Sequence, residues 1–303
     1  MRVHIVNCGT FRPRSRRLFN GAGGYFEPGR LVCNCLIIEG PAGLILVDTG
    51  FGTDDLRHPL RGIGPIWTAA NRPVLSPKET MVWHVARLGF RRDDVRDIVL
   101  THLDFDHTGG LPDFPKALVH VHEREHEYAA APWNYEKMRR YTSRHWAHKP
   151  RVRTYGAAGR YNGLTGGGGS SWMGFRGVHA IEGIGLEMLL VPLFGHSAGH
   201  CGVAIRLPGG ADGGEWLFHC GDAYFHHWEI AAEGARTPAG LAAYENLYQY
   251  DHGQRIHSRE RIRDLVASRL DEVVVMNTHD PVYTERAADL LRAPVREQPA
   301  VLM

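Results

Sequence analysis

Thr101-His-Leu-Asp-Phe-Asp-His-Thr-Gly-Gly110 decides how this chain is read. Four side chains able to hold a metal ion, His102, Asp104, Asp106 and His107, fall within six residues. The apolar run Ile98-Val-Leu100 before them reads as a buried strand, and Gly109-Gly110 after them allow a tight turn and close backbone approach. Ala117 to Val121 reads as the next strand and His122 to Ala131 as a helix, which puts the cluster on a strand-to-helix loop. Carboxylates are costly to bury without partners. Two aspartates beside two histidines therefore imply either a solvated turn or a coordinated metal, and the density of ligand-type side chains favours the metal.

Working outward, the apolar runs Val3 to Val6, Cys33 to Ile38 and Leu44 to Val47 suit strands, and Glu39-Gly-Pro-Ala-Gly43 joins the last two as a β-hairpin. Ser76-Pro77-Lys78-Glu79 predicts a helix start, with Ser76 as N-cap, proline in the first turn and Glu79 closing a capping box. The helix stops at Gly89 and has Met81, Val85 and Leu88 on its apolar face. The second half predicts strands at Leu186 to Val191, Cys201 to Leu207, Trp216 to His219 and Val273 to Asn277. Helices are expected over Ser258 to Leu270 and Thr284 to Arg292. Two such halves predict an α/β fold of two packed sheets with helices outside. With no repeat of fixed period and no convincing linker, one domain over residues 1–303 is expected. Pocket-wall insertions are expected near 51–75 and 132–172.

The 303 residues are 43% hydrophobic and 22% charged, an ordinary globular composition with room for a sizeable core. A net charge of +2 provides no whole-molecule field for gathering nucleic acid or anionic membrane. Met1-Arg-Val-His-Ile-Val6 lacks the long apolar region of a secretory signal, and no apolar run approaches a membrane span, so a cytoplasmic protein is expected. The five cysteines are odd in number, and four of them sit in or beside apolar runs, as reduced core thiols do. Cys33 and Cys35 share one strand face and are read as core packing rather than as metal ligands.

Three further polar residues follow strands: His196 in Phe194-Gly-His-Ser-Ala-Gly-His200, Asp222 in His219-Cys-Gly-Asp222, and His279 in Met276-Asn-Thr-His279. Loops at strand ends are where a rigid scaffold gathers groups from distant sequence, and seven such donors suffice for two divalent ions. Together with Asp48-Thr-Gly50 and Gly221-Asp222, their order resembles the metallo-β-lactamase superfamily across roughly residues 3–292. The resemblance implies a four-layer αββα sandwich and a binuclear metal-dependent hydrolase. On that resemblance His102, Asp104 and His196 hold one ion, Asp106, His107 and His279 hold the other, Asp222 bridges them, Asp48 steadies a ligand or its loop, and His200 is structural.

The layout is similar to acyl-homoserine-lactone lactonases. That implies hydrolysis of a lactone or carboxylic ester by a hydroxide held between the ions, with Asp106 orienting it and Tyr224, just after Asp222, as a second catalytic candidate. The family pattern has histidine where this chain has Asp104. A harder, charged donor raises the affinity for iron or manganese relative to zinc, the metal otherwise expected, and motivates a di-iron or mono-iron redox enzyme as the alternative. Trp133 to Arg153 interleaves aromatic and basic residues as a single-strand platform does, which motivates phosphodiester cleavage as a second alternative. The stronger expectation is a small-molecule substrate with no nucleic acid or membrane partner. Trp67, Trp133, Tyr141 or Trp146 would then line the pocket. The sequence leaves a homodimer open.

Overall fold

The computed structural model describes residues 1–132, 134–156, 169–208 and 215–287. Trp133, much of the glycine-rich tract at 163–171 and the 288–292 end of the last expected helix lie outside the described residues.

Seven strands form the first sheet: β1 (Val3–Phe11), β2 (Leu31–Gly40), β3 (Gly43–Val47), β4 (Pro73–Val74), β5 (Val95–Val99), β6 (Leu118–His122) and β7 (Arg151–Tyr155), in the order β4-β1-β2-β3-β5-β6-β7. β2 and β3 make the expected hairpin, with Gly40 opposite Gly43, and β3, β5, β6 and β7 run parallel. The second sheet contains β8 (Ser170–Trp172), β9 (Phe175–Ala180), β10 (Met188–Pro192), β11 (Cys201–Arg206), β12 (Trp216–His219) and β13 (Val273–Met276), ordered β13-β12-β11-β10-β9-β8. Only its β12–β13 pairing is parallel.

Period-two alternation sorts these strands into layers. Leu36 and Ile38 of β2 and Ile45 and Val47 of β3 meet Leu190, Val203, Ile205, Leu217 and Val274 of the other sheet in the central core. Their neighbours Cys33, Cys35, Ile37, Leu44 and Leu46 face the opposite way, against Met81 and Val85 of a helix. On the far side, Trp216, Phe218, Val273 and Val275 pack on Ile262, Leu265 and Val266 of the helix His252–Arg269. The result is the αββα sandwich. Each fully buried aliphatic side chain on these helices contributes roughly 1.5–3 kcal/mol, which fixes the outer layers to the sheets.

Several boundaries differ from expectation. Ser76 caps only the 3-10 turn Pro77–Glu79. The helix Met81–Arg87 starts from Thr80, whose extended backbone and hydroxyl, accepting from the Trp83 amide, make it the better cap. The long helix begins at His252 rather than near Ser258, because Asp251 accepts from the Gln254 amide. Pro281–Glu285 precedes the expected Thr284 start, capped by Asp280. Among the described residues no helix is long and apolar enough to cross a membrane.

Candidate metal centre

β5 ends at Val99, and the chain passes over the sheet edge into the one-turn helix Phe105–Thr108. His102 and Asp104 come from the extended entry, Asp106 and His107 from the turn itself. His196, Asp222 and His279 follow β10, β12 and β13. Close approach shapes the loop: a Cβ on Gly109 would lie 2.7 Å from the Gly50 carbonyl oxygen and 2.8 Å from the Gly52 nitrogen, so no side chain fits there.

The structure brings all seven residues together, buried, with Asp222 where they meet. Its Oδ2 lies 2.9 Å from His279 Nε2, 3.5 Å from His196 Nε2 and 3.9 Å from His102 Nε2, and its Oδ1 lies 3.4 Å from His107 Nε2. Asp104 Oδ2 is 3.2 Å from His196 Nε2 and 3.5 Å from His102 Nε2. Asp106 is 3.8 Å from His279 Nε2 and 4.0 Å from His107 Nε2.

The other ring nitrogens of His102, His107 and His279 are already engaged. Asp48 Oδ2 bonds His107 Nδ1 at 2.8 Å and also accepts the Thr101 hydroxyl at 2.8 Å, which leaves the Thr101 oxygen to accept from His102 Nδ1 at 3.0 Å. His279 Nδ1 donates to the Val32 carbonyl at 2.8 Å. These bonds hold the rings of His102, His107 and His279 by Nδ1, which leaves Nε2 of each as the atom that faces the cluster. Asp48 does this from a left-handed backbone, φ 55°, a conformation that costs a non-glycine residue roughly 1–2 kcal/mol. His200 is structural in its contacts, donating to the Leu193 carbonyl and accepting the Asp222 amide.

Four atoms at this point are buried without a partner: His102 Nε2, Asp104 Oδ1, His107 Nε2 and Asp222 Oδ1. Buried polar atoms are nearly always satisfied, so four orphans from one cluster mark a place for cations. The donor groups His102/His196/Asp222 and His107/Asp222/His279 each lie within 4.8 Å and share Asp222, and this oxygen and nitrogen set fits divalent metal ions. Cys33, packed in the core as expected, also has its sulfur within 4.8 Å of donor atoms of Asp106 and His279.

Burial would raise the carboxylates, yet His279 and His107 hold Asp222, and Arg140 and His102 hold Asp104, well below the usual range. Asp106 is pushed up by burial, which His107 and His279 only partly offset. Burial and Arg140 lower His196 to about 4, keeping its imidazole neutral.

Two residues that sequence reasoning did not place at the site organise it. Arg140, expected only as part of the pocket-wall segment 132–172, is buried: Nη1 donates to Asp104 Oδ2 at 2.6 Å, and Nη2 donates to the carbonyls of His196, at 2.6 Å, and Tyr248. Glu125 accepts from the Leu103 amide (3.1 Å) and the Tyr141 hydroxyl (3.1 Å) through one oxygen. Through the other it accepts from the Ser197 hydroxyl (2.8 Å) and the Gly199 amide (2.7 Å). It thereby ties the loop of His102 and Asp104 to the turn of His196. The only outward sign of Arg140 is Asp104 itself, a carboxylate in a buried cluster that needs a partner; Glu125 has no such sign.

Tyr224 is not brought to the site. It is fully buried in the outer core of the second sheet, its hydroxyl 2.9 Å from that of Tyr283, because the two residues after Asp222 turn its ring away from the metal centre. The cleft over the centre is walled by Trp67, Phe105, Arg139, Phe225, Tyr244 and Tyr248, and the Tyr244 hydroxyl accepts from Trp67 Nε1 at 3.2 Å. Trp67 lies within segment 51–75 and Arg139 within segment 132–172. Tyr141 binds Glu125 instead, and Trp146 packs against the core. The aromatic wall from the helix Ala239–Leu247 was not foreseen, because that helix gave no start signal: Pro238 precedes it and no side chain caps it.

Two packed sheets with a histidine and aspartate cluster at their strand ends define a metal-dependent hydrolase scaffold. The chain belongs to the metallo-beta-lactamase superfamily, whose sequence pattern matches residues 28–279, and it is a metallo-hydrolase with lactonase relatives. It is 34% identical over 289 residues to a probable metallo-hydrolase of Mycobacterium tuberculosis, covering 95% of this chain and 83% of that protein. The N-acyl homoserine lactonase AttM of Agrobacterium fabrum is 30% identical over 137 residues, 44% of this chain and 49% of that protein. Among solved structures, an N-acyl homoserine lactone hydrolase with N-hexanoyl-L-homoserine bound at its catalytic metal center aligns with a TM-score of 0.62 at 17% identity, covering 93% of this chain and 94% of that one. The dizinc quorum-quenching lactonase AidC aligns at 0.57 and 15%, covering 92% and 87%. At such identities these two likenesses concern the fold.

Proposed function

We propose that this protein hydrolyses an ester-like bond, a lactone or carboxylic ester of a small molecule, using two divalent ions, with zinc the first candidate. The observation that carries the reading is the set of orphaned donor atoms converging on Asp222 beneath an open cleft. His102, Asp104 and His196 would hold one ion and Asp106, His107 and His279 the other, with Asp222 between them. Such ions, when bound, lower the pKa of water and polarise a carbonyl oxygen.

The chain's own part is positional. Asp48, Thr101 and the Val32 carbonyl fix the imidazoles, and Asp106, its carboxyl raised by burial, stands where it can orient a water or accept its proton. Trp67, Phe105 and Phe225 shield the reacting bond from bulk water, while the Tyr244 hydroxyl, at the cleft wall, is a group able to donate to a substrate oxygen.

The test is metal analysis of the purified chain beside a screen of lactones, aryl esters and phosphodiesters. Lactone or ester turnover by a colourless two-metal protein is expected. A coloured iron protein that consumes oxygen and cleaves no ester, or turnover confined to phosphodiesters, would overturn the proposal.

A further inference from the structure

The centre carries a carboxylate more than the histidine pattern of its family, and it also carries a guanidinium. Arg140 Nη1 stands 2.6 Å from Asp104 Oδ2 and 3.3 Å from His196 Nε2, and only about 1% of the residue is exposed. Its second amino group is anchored on the His196 and Tyr248 carbonyls, so the cation is held in place rather than passing through. One Asp104 oxygen is committed to Arg140, and the other, Oδ1, is buried and unpartnered.

Arginine stays protonated in proteins. Aspartate in place of histidine adds one negative charge to a centre that already holds Asp106 and Asp222, and Arg140 adds one positive charge directly against it. The pair sums to zero, which is what a neutral imidazole contributes. We infer that Asp104 and Arg140 together stand in for one histidine: the Asp104 carboxylate, set against His102 and His196, is the third donor of that half, while Arg140 cancels its charge and limits the affinity of that half of the centre. Arg140 is thus a positioning residue. This deepens the metal-hydrolase reading and rests on it.

The inference reverses a simple expectation. Restoring the family histidine at position 104 would on ligand chemistry alone strengthen zinc binding. With Arg140 left facing an uncharged imidazole and a dication, zinc binding weakens instead, because like charges then meet without a carboxylate between them.

The experiment measures zinc stoichiometry and affinity by chelator competition on the metal-free full chain, for wild type, D104H, R140Q, R140K and D104H/R140Q. Circular dichroism serves as the check on folding. The expected result is zinc binding at the weaker site about tenfold looser in D104H, about tenfold tighter in R140Q, and within about threefold of wild type in R140K and in the double variant. Equal or tighter zinc in D104H overturns the inference, as does a D104H/R140Q variant that binds zinc as weakly as D104H, or equal losses in R140K and R140Q, which would leave Arg140 a packing role alone. If R140Q does not fold, the D104H result decides by itself. A wild-type chain that takes up no zinc, iron or manganese refutes the hydrolase reading; two ions bound with D104H unweakened refute only the charge pairing of Asp104 with Arg140.

Discussion

Replacing Glu125 with glutamine should loosen the metal centre without touching a ligand. The carboxylate accepts four hydrogen bonds, two from backbone amides and two from hydroxyls. A glutamine amide has one accepting oxygen. If its NH2 faces Ser197 and Gly199, the hydroxyl can rotate to accept, but the Gly199 amide meets a donor. With the amide flipped, the Leu103 amide is stranded instead. Nor can the backbone retreat easily, since a Cβ on Gly199 would already lie 2.3 Å from the Glu125 nitrogen. One orphaned buried N–H costs about 1–3 kcal/mol, and losing a charged acceptor weakens the remaining bonds, so E125Q should cost about 2–4 kcal/mol. With a urea slope of about 3 kcal/mol/M, the unfolding midpoint of the metal-free protein falls by about 1 M. Because the two loops so joined carry His102, Asp104 and His196, zinc affinity should drop about 10–100-fold, as it does when outer partners of metal ligands are removed. An unchanged midpoint together with unchanged zinc affinity would refute the idea that Glu125 is the tie.

Removal of either group in the 106–107 turn is expected to be more severe. D106N or H107A should abolish ester hydrolysis and lower bound metal, measured by initial rates and elemental analysis; full activity in either variant contradicts the site. Y224F should leave turnover within about twofold and cost about 1 kcal/mol of stability through the lost Tyr283 contact, whereas Y244F should slow turnover, with kcat and KM reported for both. Burial lowers His122 to about 3, and its Nδ1 accepts the Arg124 amide as a helix cap. Between about pH 3 and 6.5 the unfolded chain therefore binds a proton that the folded chain refuses. This group's contribution to stability is flat above 6.5 and falls by about 1.4 kcal/mol per pH unit below it. H122N keeps a capping oxygen without the titration, so its urea midpoint should decline less steeply on acidification.

What was legible in the sequence was whatever follows from local pattern. Alternation in Cys33 to Ile38 and Leu44 to Val47 separates the two faces of a sheet without knowledge of the other sheet, and polar residues crowded at the ends of apolar runs announced the seven residues of the centre. Boundaries slipped where two cap-type residues compete, as Ser76 and Thr80 do, since only the backbone decides which hydroxyl meets an orphan amide. Groups acting across long separations were invisible. Arg140 and Arg139 are adjacent and chemically identical, yet one is buried on Asp104 and the other covers the Tyr248 ring. Glu125 sits among the charged neighbours of Glu123–Ala130, in a helix whose composition says nothing of which carboxylate turns inward. Tyr224 shows the converse: closeness in sequence to Asp222 does not carry a ring to the same side of the chain.

The Tyr248 carbonyl and the Asp104 carboxylate are held by the same guanidinium. Tyr248 and Asp104 both line the cleft. If Asp104 holds a metal as proposed, a mutation that reshapes the cleft wall at Tyr248 to admit a different molecule also pulls on that donor, so selectivity and metal retention should drift together in any series of descendants. A lineage seeking new substrates through this wall would first have to cut Arg140 loose or compensate for it.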